Sequence, residues 1–447
     1  MLKPSEPRAS GRYHPGGAWL KIGRMVLAVA ALLVPAVIEA GRVCAQTAQS
    51  ATDVPQRLGR QSAAAGTTAS AVEPLAKQGC PLSPPELPTP FVDVRAFGAV
   101  GDGRQDDTIA INAAVASLEK GGTVQFGPGV YRHDGIIWVD RPGVALVGRG
   151  ATLVAGTATL SAIYLSGDRS IIMDLTVSTL DPGARGDRDE HSGIVVTGAG
   201  NIVFRAKVSR SKSAGIMVVG GREFLIACSD AFETKADAIH MTRGSRNGRV
   251  VFNSVWNSED DGIAVVSYHG DRQSSGIIIE DNSVEHIRWG RGISIIGSAD
   301  AVIRRNTVRA IAMAAGIIVA REGYWRTQGA RDVVIENNRI FDIQESLAPL
   351  NGGARTGQAA IDLNSDGDDA ALAVSDVRIV GNVVLGSRFG GVRLEGNVSR
   401  VSIIANSLEG VTGAAIARVR GRPVQDIECR NNAGPRQMEP CRTESRE

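Results

Sequence analysis

The chain has 447 residues, of which 53 are glycine and only 4% aromatic, a composition that suits tight repeated turns and argues against aromatic-rich propeller blades. Residues 1–45 hold six basic and two acidic residues, leaving 43 basic and 45 acidic for the rest. A remainder so near neutrality lacks the basic surface of a nucleic-acid binder, so no nucleic-acid partner is expected.

Residues 25–38, MVLAVAALLVPAVI, form an apolar run behind a basic lead. The run is short for a membrane span and contains Pro35. V-C-A at 43–45 resembles a small-residue cleavage site, so residues 1–45 read as a secretory signal peptide. The mature chain is expected to be secreted or periplasmic, with no membrane contact after cleavage. Export permits disulfides among Cys80, Cys228, Cys429 and Cys441, and Cys429 with Cys441 is the natural local pair. No CxxC or Cys/His cluster is present, so no zinc site is expected. Residues 46–89, rich in Ala, Ser, Thr, Gln and Pro, read as a disordered linker that ends extended.

Order is expected from about residue 90. Asp106 or Asp107 reads as the N-cap of a helix whose apolar face is Ile111, Ala114, Val115 and Leu118, with Gly121 as its stop. The acidic run GDGRQDD is assigned to turns and capping. Short strands are expected at 135–139, 144–147, 163–165 and 171–177.

Repeats dominate the chain from Gly193 onward. A unit opening on Gly or Ala and then Ile (Val392 in one copy) starts at Gly193, Gly215, Ala238, Gly262, Gly292, Gly316, Ala360, Gly391 and Ala415. The successive steps are 22, 23, 24, 30, 24, 44, 31 and 24 residues, a base period near 23 with insertions. Such a period marks a solenoid. Between copies lies a second β-branched unit of the form V-x-I-x-x-N-x-V. Its asparagines, Asn282, Asn306, Asn338, Asn382 and Asn406, should stack from coil to coil and bond along a ladder. Regular leucine spacing, the mark of a leucine-rich repeat, is missing. The expected fold is all-β: a single-stranded right-handed parallel β-helix over residues 90–430, with an N-terminal amphipathic helix capping its open apolar end. Residues 431–447 read as a polar tail, and the protein is expected to be a monomer.

The stretch FVDVRAFGAVGDGRQDDT, its helix, GGTV and PGVY, residues 91–131, resembles the N-terminal signature of the pectin-lyase-like superfamily. With the repeats, the resemblance covers roughly residues 90–430. It implies the β-helix fold and a polysaccharide partner. The superfamily spans hydrolases, lyases, uronate epimerases and phage tailspikes, so it leaves the reaction open.

The residue before each Gly/Ala-Ile unit narrows the choice. The column reads Ser192, Ala214, Asp237, Asp261, Arg291, Ala315, Ala359, Gly390, Ala414, with charge in three consecutive coils and small residues elsewhere. Parallel strands lie about 4.8 Å apart, so Asp237, Asp261 and Arg291 should form one ridge with Asp260 beside them. Carboxylates so close push one another's pKa apart, leaving one protonated and another ionised, as acid–base glycoside cleavage requires. If the side chains splay, an acid and a base about 6.5–9.5 Å apart leave room for water.

K-A-D-A, D-D-G and G-R-G on successive coils are similar to the site of polygalacturonases, the family-28 glycoside hydrolases. That resemblance implies Asp260 as general acid and Asp237 and Asp261 as activators of water. It also exposes departures: Arg291 stands where the family has His, and Ile318 and Ala320 occupy its two basic positions, with only Arg321 nearby. Either Arg291 and Arg321 grip a uronate carboxylate or the substrate differs from polygalacturonate. His240, pointing outward beside the aspartates, is a candidate for substrate contact. Insertions fall at 181–192, 267–275, 321–331, 343–359 and 364–375, and two of them carry Tyr268 with His269 and Tyr324 with Trp325 as candidate sugar platforms. The RGD triplet at 185–187 reads as chance.

The leading expectation is a secreted glycoside hydrolase acting on an acidic polysaccharide or exopolysaccharide, with no cofactor. A lyase or C5-epimerase would use Arg291, Tyr268 or His269 as base, with Ca²⁺ on the aspartates. A third reading is a non-catalytic carbohydrate-binding solenoid.

Overall fold

A computed structural model describes residues 79–419 and 425–434. The expected signal peptide, most of the linker, the end of the tail and Cys441 lie outside them. The described chain is a right-handed parallel β-helix. Successive coils add one strand each to sheets of 13, 12 and 11 strands.

The repeat explains the coil. The isoleucine of the Gly/Ala-Ile unit, Val392 in one copy, begins its strand of the 11-stranded sheet and points inward. Register stacks Ile163, Ile194, Ile216, Ile239, Ile263, Ile293, Ile317 and Ile361 on one another. All eight are fully buried. Burial of each such side chain contributes about 1.5–3 kcal/mol, which favours coiling over any extended arrangement. The small residue before the isoleucine has a steric cause: a Cβ on Gly292 would meet the Gly316 carbonyl oxygen at 2.4 Å and Val308 at 2.4 Å.

The asparagine ladder is present and longer than the five expected members. Asn282 donates from its backbone N and Nδ2 to Asn306 Oδ1 at 3.0 and 2.9 Å, and Asn306 repeats both bonds to Asn338. Asn253 joins at one end and Asn432 at the other. The residue before most members has a left-handed backbone: Phe252, Asp281, Arg305, Asn337 and Ala405 have φ of 56°, 55°, 54°, 56° and 55°. A strained residue of this kind costs roughly 1–3 kcal/mol, and the buried amide bonds offset it. Asn306→Ala would strand the Asn282 donors and the Ile279 carbonyl that Asn306 now satisfies at 2.9 Å. We expect a loss of about 2–4 kcal/mol in denaturant unfolding.

The helix spans Thr108–Ala116 and buries Ala110, Ile111, Ala114 and Val115. It stops earlier than expected, at Ser117 and not at Gly121. Leu118 lies beyond it yet remains buried. Asp107 stands at the N-cap without a capping bond; its carboxylate accepts instead from the N–H groups of Val100 and Gly101. The other acidic residues of the run do serve turns and the helix start: Asp102 accepts from Arg104 and Gln105, Asp106 from Thr108. The strand expected over 171–177 is two strands, Ile171–Met173 and Thr176–Thr179, separated by a turn at Asp174 with φ 58°.

Cys80 is disulfide-bonded to Cys228, 148 residues on. Together with Leu82 and Leu87 it packs on an apolar patch containing Ile171, Met173, Phe204 and Val251. The segment expected to be the extended end of a linker is thus fastened to the β-helix. Cys429 is also disulfide-bonded; Cys441, its expected partner, is outside the described residues.

Candidate active site

Three coils build the site. Asp237 precedes the strand Ile239–Thr242, Asp260 and Asp261 precede Ile263–Val266, and Arg291 precedes Ile293–Ile296. The coil ladder fixes their stacking: Ala238 N donates to the Asp261 carbonyl and Gly262 N to that of Arg291. All three aspartates are buried, with 4–8% exposure. One oxygen from each lies within 4.8 Å of the others. The side chains therefore converge on one point and do not splay to the wider separation anticipated for an acid and a base flanking a water. The cause is local bonding: each carboxylate is drawn toward the partners around it, two of them toward the next coil's backbone.

Asp237 Oδ1 accepts from Asp261 N at 2.9 Å, and Asp237 Oδ2 contacts His240 Nδ1 at 2.5 Å. Asp261 Oδ1 accepts from Arg291 N at 2.7 Å, and Asp261 Oδ2 from the Ser294 hydroxyl at 2.5 Å. Asp260 Oδ2 pairs with Arg185 Nη1 at 2.7 Å. Arg291 also pairs with Glu322 and, at 3.4 Å, with Asp261.

These partners separate the proton affinities. Burial pushes Asp261 up to about 7, reinforced by Asp260 and Asp237 and opposed by Arg291 and Ser294. Asp260 is raised by the same burial and by Asp237, against Arg185 and Arg291. Burial raises Asp237 as well, but its bond to His240, with Arg185 and the Asp261 N–H, outweighs that and holds it below the usual carboxylate range. Burial works against the charge on Arg291, yet Asp261, Glu322, Asp260 and Asp237 prevail and raise its pKa.

The structure gathers Asp237, Asp260, Asp261, Arg291 and His240, as the column implied. Other candidates lie elsewhere. Arg321 sits at the opposite end of its strand and binds Asp366 at 2.5 Å, so it does not stand in for the family's basic pair. Tyr268 is half-buried and packs on an outer apolar cluster of Ala264, Val266, Ile296 and Ile318. His269 is exposed, with its N–H bonded to the Arg326 carbonyl. Tyr324 is 60% exposed and meets Trp325 edge-on at 4.9 Å.

Arg185, Ser294 and Glu322 were not anticipated. Arg185 is the arginine of the RGD triplet, and it pairs with Asp260. Its sole legible signal is a place in the insertion preceding the aspartate coils. Its position is built: Lys212 Nζ binds the Ala184 carbonyl at 2.7 Å, and the Lys212 carbonyl accepts from Gly186 N at 2.8 Å. Gly290 is equally constrained. A Cβ there would lie 2.4 Å from Asp260 C and Asp261 N. Gly290→Ala must displace the paired aspartates, and a shift near 1 Å lowers activity about 10²-fold; steady-state rates beside an unchanged circular-dichroism spectrum would check this.

Residues 91–339 match the family described as rhamnogalacturonase A/epimerase, pectate lyase-like. The chain belongs to this family. The rhamnogalacturonase A/epimerase match places it among polysaccharide-acting enzymes of β-helix fold. No curated protein matches the sequence. Among solved structures, the A-module of the mannuronan C-5 epimerase AlgE6 from Azotobacter vinelandii is 18% identical, covers 77% of this chain and 100% of its own, and has a TM-score of 0.55. The catalytic unit of a GH87 alpha-1,3-glucanase from Streptomyces thermodiastaticus strain HF3-3 is 18% identical, covering 78% and 70%, with a TM-score of 0.59. The Agl-KA catalytic domain is 16% identical, covering 78% and 69%, with a TM-score of 0.63. At these identities the likeness is one of fold.

Proposed function

We propose that this member of the rhamnogalacturonase A/epimerase family is a glycoside hydrolase. The observation that carries the reading is the convergence of three buried aspartates whose proton affinities are driven apart. The Asp260–Asp261 pair holds one proton near neutrality and gives it to the glycosidic oxygen as the bond breaks. Asp237, kept ionised by His240, takes a proton from the water whose oxygen bonds to the anomeric carbon.

The lyase and epimerase alternatives need a base next to the uronate carboxyl. Arg291 is poorly suited, since Asp261 and Glu322 favour its charged form. Tyr268 is taken up in packing. Ca²⁺ on the aspartates would compete with Arg185, Arg291, His240 and Ser294 for the carboxylates. Hydrolysis by these carboxylates needs no metal, so a chelator should leave the rate unchanged. The Cys80–Cys228 disulfide and the disulfide-bonded Cys429 favour a secreted or periplasmic protein, since thiols in a reducing cytosol stay reduced.

Mass spectrometry of products formed in heavy-oxygen water tests the reaction class. Hydrolysis places one solvent oxygen in each new reducing end. A product lacking solvent oxygen would overturn the reading in favour of a lyase, and an uncleaved polymer that takes up deuterium from deuterated water in a parallel run would overturn it in favour of an epimerase.

A further inference from the structure

The outer face of the 11-stranded sheet carries information beyond the reaction. Register places Val195, Met217, His240, Ala264, Ser294, Ile318 and Asp362 in one row along the helix axis. Side chains alternate along a strand, so this row points away from the isoleucine core and faces water unless something covers it. A groove threading a polymer past the aspartates would leave the row open over several coils. Val195, Ala264, Ser294, Ile318 and Asp362 are instead 0% exposed, and only Met217 and His240 are partly open.

The covers can be named. Beyond His240, Ala264, Val266, Ile296, Ala315, Ile318 and Ala320 form an apolar cluster on the outside of the sheet, with Tyr268 packed on it. Two loops clasp above it. Tyr268 bridges Thr327 in antiparallel fashion, and Gln273 Nε2 binds the carbonyls of Gly297 and Gly329, each at 2.8 Å. Two ion pairs close the sides. Arg291 lies before its strand and Glu322 just after the strand Ile317–Arg321, so their contact crosses the sheet face. Arg243 follows Ile239–Thr242 and pairs with Asp189, in the turn before Ile194–Val196, at 2.7 and 3.0 Å. The first pair joins the coils of Ser294 and Ile318, and the second runs from the coil of His240, past that of Met217, to that of Val195.

We propose that the aspartates form the floor of a blind pocket over Met217 and His240, and that the protein acts on the end of a glycan chain, admitting a terminal sugar ring and not a mid-chain segment. This rests on the hydrolase reading of the same aspartates. Each turnover breaks the bond between the terminal ring and its neighbour; water supplies oxygen to the anomeric carbon and a proton goes to the departing hydroxyl.

Saturation-transfer NMR tests the pocket apart from turnover. The full chain carrying Asp260→Asn and Asp261→Asn is mixed with a panel of neutral and acidic linear oligosaccharides and with cyclic glucans, which have no ends. The expected result is strongest saturation on a terminal ring of a linear ligand and its loss for the cyclic ones. Equal saturation of internal rings, or binding of the cyclic glucans, would overturn the terminal pocket while sparing the hydrolase reading. No saturation of any sugar would count against both. In the active chain, Arg243→Ala removes one wall, so oligosaccharides longer than the wild-type product should appear among the products; an unchanged product set would also count against the pocket.

Discussion

Asp261→Asn should lower turnover by about 10²–10⁴-fold, the range for loss of a general acid–base group, without lowering stability at neutral pH. The asparagine is isosteric and keeps the local bonds: Oδ1 still accepts from Arg291 N, and Nδ2 donates to Ser294 Oγ. Asp261 rises from an ordinary 3.8 to about 7 in the folded chain. The folded state therefore binds more protons than the unfolded state across that window, and the stabilisation this group contributes at low pH is lost as the pH rises through it. The asparagine carries no such dependence. Thermal melts across the window should show a weaker fall for the variant than for the wild type. A variant much less stable at neutral pH would mean that Asp261 is a structural ion-pair partner first.

Arg185→Met should move the alkaline limb of the activity profile to higher pH and reduce activity at the former optimum by about tenfold or more, as expected when a charge-assisted bond orienting a reacting group is lost. Arg185 faces Asp260 from the 181–192 loop; Asp237 and His240 face it from the preceding coil, Asp261 from its own, and Arg291 with Glu322 from the coils beyond. Of these, Arg185 is the strongest opponent of the burial that raises Asp260. Without it, Asp260 keeps its proton to higher pH. Arg185→Lys should restore part of both effects. Kcat and KM measured across pH would separate this from a merely steric change, which would lower rates without moving the limb.

The β-helix was legible because its cause is repetitive. The same isoleucine and the same asparagine return once per coil, and each is explained by a neighbour one coil away. The aspartate column was legible for the same reason, since charge in a row of small residues stands out. Arg185 and Glu322 were not, because they reach the cluster from insertions that break the period. Register predicts which residues share a rung and says nothing of where a loop returns. Arg321 shows the converse: it lies close in sequence to a family motif position, yet the strand carries it to the far end, where Asp366 holds it. Tyr268 and Trp325 stand out chemically as loop aromatics. Tyr268 is in fact drawn onto Ala264 and Ile318, whose outward apolar side chains needed cover.

The most direct test of the central claim is a paired assay on a panel of acidic and neutral polysaccharides, following reducing ends and the ultraviolet absorbance of unsaturated uronate together, with the Asp260→Asn/Asp261→Asn chain as control. The account predicts new reducing ends without absorbance, lost in the control. Absorbance rising with the reducing ends, or activity surviving in the control, would contradict it.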